Sequence, residues 1–199
     1  MLKKRISSNY WNRRALESMD VFVEYMVKKQ NTGKDILLKF VYAFLGVAIM
    51  LLALLLSPIL GAFASLGFLL GCAAIYGAYY LISSMNVEYE YIITNGEMDV
   101  DKIIARRRRK RLLTANARRF EEFGAYNHET MSSRNFANRV YACTAPADPG
   151  NYYAVFNHQT LGQTLLVFTP NDRVLESLRS FIPRQAGGKA VYGNRPSEN

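Results

Sequence analysis

The residues with the most evident chemistry are six consecutive cations, Arg106, Arg107, Arg108, Arg109, Lys110 and Arg111. Guanidinium and ammonium groups in a row bind anions, which means carboxylates of the same chain, anionic lipid headgroups or nucleic-acid phosphates. Successive side chains of a β-strand point to opposite faces, so the six cations of a strand cannot all reach one partner. We therefore expect part of the run to pair with carboxylates and part to remain in solvent.

We consider three kinds of partner for this run, in decreasing order of preference. The first is intramolecular, because a strand from about Arg108 to Asn116 would lie beside the acidic residues Glu88, Glu90, Asp99 and Asp101. The second is an anionic lipid headgroup or a membrane protein partner, for which all six cations are candidate contacts. The third is nucleic acid, which suits the net charge of +9. It is the least favoured, because aromatic residues at alternate positions are typical of a core.

Familiar catalytic and metal-binding patterns are not found in the sequence. His128 and His158 are the only histidines, and neither has further ligands at a metal-binding spacing. Glu121 and Glu122 are adjacent and would point to opposite faces of a strand, which does not suit a shared acid–base task. The sequence contains no P-loop and no GxSxG or GxGxxG motif. We therefore predict a non-catalytic protein with no cofactor and no metal.

A long apolar segment separates two charged parts of the chain. Residues 40–87 contain no Asp, Glu, Lys or Arg. Two apolar stretches overlap this segment, Ile36–Leu56 and Ile59–Ile82, and each is long enough to cross a hydrocarbon core of about 30 Å as a helix. Ser57-Pro58 is the predicted turn between them, because proline interrupts a helix. The sequence thus predicts a two-helix transmembrane hairpin over residues 36–83.

Flanking charge gives the predicted orientation of this hairpin. Basic residues are frequent before the first span, and the turn carries no charge. The positive-inside rule then places both termini in the cytoplasm of a two-span, multi-pass protein of the cell membrane. The cores of the spans hold no Asp, Glu, Arg or His, which weakens a transporter or channel interpretation. Gly67 and Gly71 favour close helix packing, within the hairpin rather than in a homodimer.

The segment before the apolar region has a helical pattern of apolar residues. In Ala15–Lys29, the residues Leu16, Met19, Phe22, Val23 and Met26 recur at helical spacing. We therefore interpret residues 1–35 as a basic segment that contains an amphipathic helix.

Beyond Met85 the periodicity changes from helix to strand. The stretch VEYEYIITNGEMDVDKII predicts a hairpin around Asn95-Gly96, with Thr94 opposite Glu97 and Glu90 opposite Asp101. Further strands are predicted at Phe120–Ala125, Arg139–Thr144, Tyr152–Asn157 and Gln163–Thr169. A final helix follows, with Thr169 as its N-cap and Pro183 at its end. Residues 184–199 have the composition of a disordered tail.

This order of elements resembles the pleckstrin-homology (PH) superfold. The runs TGKD, YEYIITNGEMDVDKI and RKRL also resemble an uncharacterised family of two-span proteins from Gram-positive bacteria, known only as a domain of unknown function. The resemblance covers roughly residues 19–183 and carries over no catalytic residues. It implies a PH-like cytoplasmic domain over residues 86–183.

The combined prediction is an α+β chain with a two-helix transmembrane hairpin. A PH-like β-barrel of about seven antiparallel strands and a C-terminal capping helix follow. We expect a binding or scaffold module that meets the lipid bilayer and its anionic headgroups. An accessory subunit of a membrane enzyme or transporter complex is the alternative.

Overall fold

The computed structural model describes residues 21–187 and has an α+β architecture. The strands are β1 (Phe22–Lys28), β2 (Val87–Thr94), β3 (Glu97–Ile104), β4 (Arg108–Asn116), β5 (Phe120–Ala125), β6 (Asn138–Ala142), β7 (Tyr152–His158) and β8 (Gly162–Phe168). The helices are α1 (Gly33–Leu60), α2 (Ala64–Ser84), α3 (His128–Ser132) and α4 (Asp172–Arg179), with short 3-10 turns at Gly61–Phe63, Ala117–Arg119 and Arg184–Ala186.

The first sheet has the order β1-β2-β3-β4, and all of its neighbours are antiparallel. The predicted register of the β2–β3 hairpin is confirmed, with Thr94 opposite Glu97 and Glu90 opposite Asp101. Asn95 and Gly96 both have positive φ, 51° and 85°, as a two-residue type I′ turn requires. Strand β4 spans the predicted residues Arg108–Asn116.

Strand β1 corrects the prediction of an amphipathic helix before the apolar segment. Residues Phe22–Lys28 are extended and pair with β2 along their whole length, from Phe22–Thr94 to Lys28–Glu88. Val27 is buried in the core. The soluble fold therefore begins before the long helices, and the predicted start at residue 86 leaves out its first strand. The earlier part of the predicted segment, residues 1–20, lies outside the described residues.

The second sheet has the order β5-β7-β8-β6, in which β6 and β8 run parallel. The prediction of a closed barrel of about seven antiparallel strands is therefore wrong. Residues 21–187 contain eight strands in two separate four-stranded sheets. One backbone hydrogen bond, from Gln30 N to Thr144 O at 2.8 Å, ties the end of β1 to the segment after β6.

Helices α1 and α2 form one helical run, Gly33–Ser84, that contains no extended loop. The predicted break at Ser57-Pro58 is wrong, because Pro58 lies inside α1. Proline removes one hydrogen bond, a loss that a helix packed against a neighbouring helix tolerates. The direction of the run changes at Gly61, whose φ of 53° and ψ of −117° suit glycine alone.

The two halves of the run lie side by side after this bend. A Cβ on Gly71 would lie 2.5 Å from Met50 Sδ, and one on Gly46 would lie 2.9 Å from Ala78 Cβ. Both glycines therefore permit close contact of α1 with α2, as predicted for Gly71. They are also the only buried residues of the run. Its large apolar side chains face outward, away from protein.

The main core lies between the two sheets and α4. It includes the fully buried side chains of Tyr91, Ile93, Leu166, Phe168 and Leu175. The hydroxyl of Tyr91 donates to Ala142 O and accepts from Thr169 N, so it links both sheets. A smaller cluster on the far side of the second sheet lies under α3.

Helix α4 begins later than predicted. Its N-cap is Asn171, whose Oδ1 accepts from Val174 N at 2.9 Å, so the prediction of Thr169 as the cap is wrong. Thr169 is used elsewhere, because its hydroxyl donates to Asn151 Oδ1. The start of the predicted disordered tail is also corrected. Arg184–Ala186 form a 3-10 turn with Ala186 buried, and residues 188–199 lie outside the described residues.

Candidate functional site

Strand β4 places part of the cationic run against the acidic residues of β2 and β3. We call the surface that carries Glu88, Glu90, Asp99 and Asp101, opposite the core, the outer face of the first sheet. Arg109 Nη2 lies 2.7 Å from Glu90 Oε2, and Arg109 Nη1 lies 3.9 Å from Asp101 Oδ2. Arg111 contacts both Asp99, at 2.8 Å, and Asp101, at 2.9 Å. These pairs satisfy two cations of the run within the sheet.

Glu90 is completely buried although it lies on the outer face. Burial raises its pKa above the ordinary value, and a hydrogen bond with Glu24 and the nearby Asp101 add to the rise, whereas Arg109 opposes it. By contrast, the hydrogen bond with Asp101 raises the pKa of Arg111 and favours its charged form. The outer face is thus an ionic layer in which two neighbouring carboxyl groups, those of Glu90 and Asp101, share the charge of Arg109.

The loop between β3 and β4 holds the first cations of the run in an unusual backbone conformation. Ala105 and Arg106 both have positive φ, 54° and 56°. Such a conformation costs a residue other than glycine roughly 1–2 kcal/mol. Arg107 N closes the turn by donating to Ile104 O at 3.0 Å.

This loop is fixed to the end of α2. We call Lys29–Thr32 and Met85–Asn86, which join the helical run to the first sheet, the neck. Ala105 N donates to Asn86 O of the neck at 2.8 Å. Arg107 Nη2 donates to Ser83 Oγ at 3.0 Å, and its guanidinium lies 5.2 Å from the centre of the Tyr80 ring. Arg107 is therefore an anchor between the sheet and the helical run.

Arg106 lies beside two small cavities next to the neck. Its Nε is 3.3 Å from Glu88 Oε1, while its side chain is 83% exposed. One cavity of about 360 Å³ lies between Met26, Glu88 and the arginines of the loop. The other, of about 320 Å³, has Lys28, Ser83, Asn86 and Ala105 in its wall. Glu88 and Arg106 line both.

The six predicted contact residues therefore do not form one patch. Arg106, Arg109 and Arg111 pair with carboxylates, and Arg107 contacts α2. Arg108 and Lys110 are exposed, and the side chain of neither makes a hydrogen bond or ion pair with any residue in the range 21–187. Pairing with the acidic residues of β2 and β3 was the preferred intramolecular role, and it holds for three of the six.

Sequence reasoning missed the residues in and next to the neck that line this surface. Lys28 is opposite Glu88 across the β1–β2 pair, and it lines a cavity with Ser83 and Asn86. The missed signal is the alternation of Val23, Tyr25 and Val27 with exposed residues in FVEYMVK, which has the period of a strand. The apolar residues at helical spacing in the same stretch concealed it.

The histidines lie apart from this surface in local hydrogen bonds. His128 Nδ1 is 3.2 Å from the hydroxyl of Tyr126, and His158 Nδ1 accepts from Thr160 N at 3.3 Å. Within residues 21–187, no three His, Cys, Asp or Glu side chains are grouped so that they would hold a metal. Burial raises the pKa of the Cys143 thiol to about 11, so this cysteine is a poor nucleophile.

Comparison with known proteins gives one match. A family described as Bacterial PH-like domain (DUF6106), of unknown function, matches residues 19–187. No curated protein and no solved structure matches the chain. The matched range contains both sheets, the C-terminal helix and the helical run between β1 and β2.

Proposed function

Because the chain belongs to the bacterial PH-like domain family DUF6106, we propose that it is an integral membrane protein whose PH-like domain is a non-catalytic binding or scaffold module. The domain would lie at the inner surface of the cell membrane, with both termini in the cytoplasm. A PH-like fold supports a binding role. The finer parts of the proposal, which are membrane insertion, orientation and contact surface, rest on the physical arguments below.

The observation that carries the proposal is the exposure of the helical run. Its most apolar window has a mean hydropathy of 2.6, yet only 6% of that window is buried. A core helix of a soluble protein would instead be covered by protein. Phe44, Leu55 and Ile59 are each at least 75% exposed. Apolar surface of this extent is stable when lipid surrounds it.

The position of the run in the fold argues against a cleavable leader. It connects β1 to β2, which are hydrogen-bonded neighbours in one sheet. Cleavage within the run would separate β1, with the buried Val27, from the rest of the domain. A retained membrane anchor explains this insertion, whereas a signal peptide does not.

Length and charge suit two crossings with the domain on the cytoplasmic side. Helix α1 has 28 residues and α2 has 21, so they extend about 42 Å and about 32 Å at the usual rise. The bend at Gly61–Phe63 carries no charge, whereas Lys28, Lys29, Lys34 and Lys39 lie at the neck end. The positive-inside rule then favours a cytoplasmic neck.

Cysteine labelling in intact cells tests insertion and orientation together. In a background with Cys72→Ala and Cys143→Ala, we expect Ala62→Cys at the bend to react with a membrane-impermeant maleimide added outside. The matched variant Asn157→Cys, at an exposed position near the end of β7, should react only after the cells are permeabilised. We also expect the chain to remain in the membrane pellet after alkaline carbonate extraction.

Either of two results would refute this proposal. Recovery of the folded chain in the carbonate supernatant would show that the helical run is not embedded in lipid. Labelling of Asn157→Cys from outside, with Ala62→Cys protected, would show the opposite orientation.

An accessory subunit of a membrane enzyme or transporter complex is the second candidate. It is favoured by Phe22 and Met26, which are 62% and 46% exposed on the edge strand β1. An edge strand with exposed apolar side chains is suited to strand addition by a protein partner. A photocrosslinker at position 22 would capture such a partner in membranes. The nucleic-acid alternative is less favoured, because ion pairs occupy half of the cationic run.

A further inference from the structure

The β3–β4 loop contains a cation that its structural role does not explain. The loop is held to the neck by Ala105 N and by the side chain of Arg107. Arg106 makes neither contact, yet it occupies a position with φ of 56°. Asparagine or glycine fits this conformation better than arginine does. An unfavourable residue that does not hold its own loop in place is typical of a functional position.

The geometry of Arg106 suits an anion at the neck. Glu88 Oε1 lies 3.3 Å from its Nε, which fixes the base of the guanidinium. Its two terminal nitrogens have no hydrogen bond or ion pair within residues 21–187. A guanidinium held in this way presents two parallel N–H donors, the arrangement that matches two oxygens of a phosphate.

Lys28 supplies a second cation at the same place. It is exposed, lies directly across the strand pair from Glu88, and lines the same cavity as Arg106. No residue of the range 21–187 pairs with its ammonium group. The two cavities meet at Glu88 and Arg106, and each has a volume of at least about 300 Å³, within the range of small-molecule sites.

We infer that Arg106 and Lys28 bind a phosphate ester in the cavities between the β3–β4 loop and the neck, and that this phosphate belongs to an anionic lipid headgroup. The inference rests on the proposed function, because a headgroup reaches this site only if the helical run is in the membrane. Glu88 acts as a positioning residue for Arg106.

The position of the site at the end of the helical run favours a lipid headgroup as the source of the phosphate. Ser83 and Asn86 line one cavity and mark the end of α2. Tyr80, one turn earlier, contacts Arg107, and Tyr76 and Tyr79 lie exposed beside it. Tyrosines of this kind lie at the headgroup level of a membrane. A phosphate bound at this site therefore lies at the depth of lipid phosphates.

The experiment uses the full chain in nanodiscs with equal parts of phosphatidylcholine and phosphatidylglycerol. Native mass spectrometry then counts the lipids retained by the released protein. We expect retained lipid enriched in phosphatidylglycerol. Arg106→Asn should lower the ratio of phosphatidylglycerol to phosphatidylcholine about fivefold, the factor expected for one cation at an anionic surface. Lys28→Gln should have a similar effect.

Two controls separate binding from charge and from folding. Arg119→Gln removes one exposed charge near Glu97 and Asn116, at the opposite end of the first sheet, and should leave the ratio unchanged. Asparagine tolerates positive φ, so Arg106→Asn should not lower the melting temperature. If Arg106→Asn lowers the ratio of phosphatidylglycerol to phosphatidylcholine while its melting temperature is unchanged or higher, the variant has lost a contact with the lipid.

Three results would overturn the inference. The first is an unchanged ratio in Arg106→Asn. The second is an equal loss in Arg119→Gln, which would indicate general charge attraction. The third is displacement of phosphatidylglycerol by millimolar glycerol 3-phosphate, which would assign the site to a soluble phosphate ester. Each can occur in a chain that resists carbonate extraction, so failure here is distinct from failure of membrane insertion.

Discussion

The two ends of the first sheet each have a tight turn with positive φ, but the turns consist of different residues. At the end far from the neck, β2 turns into β3 through Asn95-Gly96; at the neck end, β3 turns into β4 through Ala105-Arg106. All four residues have positive φ. Asn95 Oδ1 also accepts from Val21 N at 3.1 Å, and Gly96 packs against Phe181. The distal turn therefore consists of residues that readily adopt positive φ.

The neck turn consists of residues, Ala105 and Arg106, for which positive φ is unfavourable. It is held by contacts to Asn86 and Ser83, and it presents Arg106 beside the end of α2. The contrast indicates that the distal turn serves the stability of the sheet, whereas the neck turn trades stability for a charge at a defined place. The predictions below test this difference.

Gly96→Ala should have the largest effect. A Cβ at this position would lie 2.5 Å from Phe181 Cγ, and the φ of 85° is unfavourable for alanine. We expect the free energy of unfolding in detergent to fall by about 3 kcal/mol, from strain and overpacking together. Gly162→Ala is the matched control, because φ is +70° but the nearest atom is 3.6 Å away. Equal losses in both would mean that the Phe181 contact is unimportant.

Arg109→Ala should have the second-largest effect on stability. It tests whether the paired cations of the run matter more for stability than the unpaired ones. It leaves the buried carboxyl group of Glu90 without its guanidinium partner, whereas Asp101 keeps its contact with Arg111. Because Arg109 itself is 54% exposed, we expect a loss of about 2 kcal/mol rather than the full cost of a buried charge. The neighbouring Lys110→Ala should change stability little. A similar loss in both variants would contradict the assignment of pairs.

Ala105→Asn should have a smaller and opposite effect. Asparagine fits the positive φ of 54° better than alanine does, so unfolding should cost about 0.5 kcal/mol more. The reverse change at the distal turn, Asn95→Ala, should lower the melting temperature, since it also removes the acceptor of Val21 N. Loss of stability in Ala105→Asn would show that the neck turn is not strained.

Glu90→Gln should give the smallest effect, visible as a pH dependence. The folded protein holds a proton on Glu90 to higher pH than the unfolded chain does, because burial and Glu24 raise its pKa. Its contribution to stability is full below the ordinary pKa of 4.5 and is lost as the pH rises through the raised value.

The direction of this pH dependence can be checked from the melting temperatures of wild type and Glu90→Gln at several pH values. The advantage of wild type over the variant should shrink as the pH rises above 4.5, the ordinary value, because glutamine does not titrate. Glu24→Gln should weaken the trend by removing the neighbour that helps to raise the pKa. A difference that grows with pH would contradict the assignment.

Sequence patterns were sufficient where neighbours in space are also neighbours in the chain. The β2–β3 register followed from Asn95-Gly96 and the alternation around it, because a two-residue turn fixes which residues face each other. Strand β4 and its pairing with the acidic residues followed in the same way. For the candidate site, these patterns predicted that the basic strand lies beside Glu88, Glu90, Asp99 and Asp101, but they did not predict the neck.

Patterns failed where long-range pairing decided the outcome. Phe22–Lys28 fits a helix or a strand by periodicity, and its pairing with residues 88–94, across the helical run, selects the strand. The parallel pairing of β6 with β8 likewise has no local signal. At Pro58, helix hydrogen bonds before and after the proline outweighed the one that it removes.

The sequence by itself determined that Ile36–Leu56 and Ile59–Ile82 are helical and apolar and that an acid-rich hairpin precedes a basic strand, because both are properties of short-range pattern. Only the tertiary structure decided that the run is inserted between two paired strands, which brings Lys28, Glu88 and Arg106 together at its base. Residues that are 18 or more positions apart become neighbours only when backbone pairing and burial fix them, and that information is not local to any stretch of the chain.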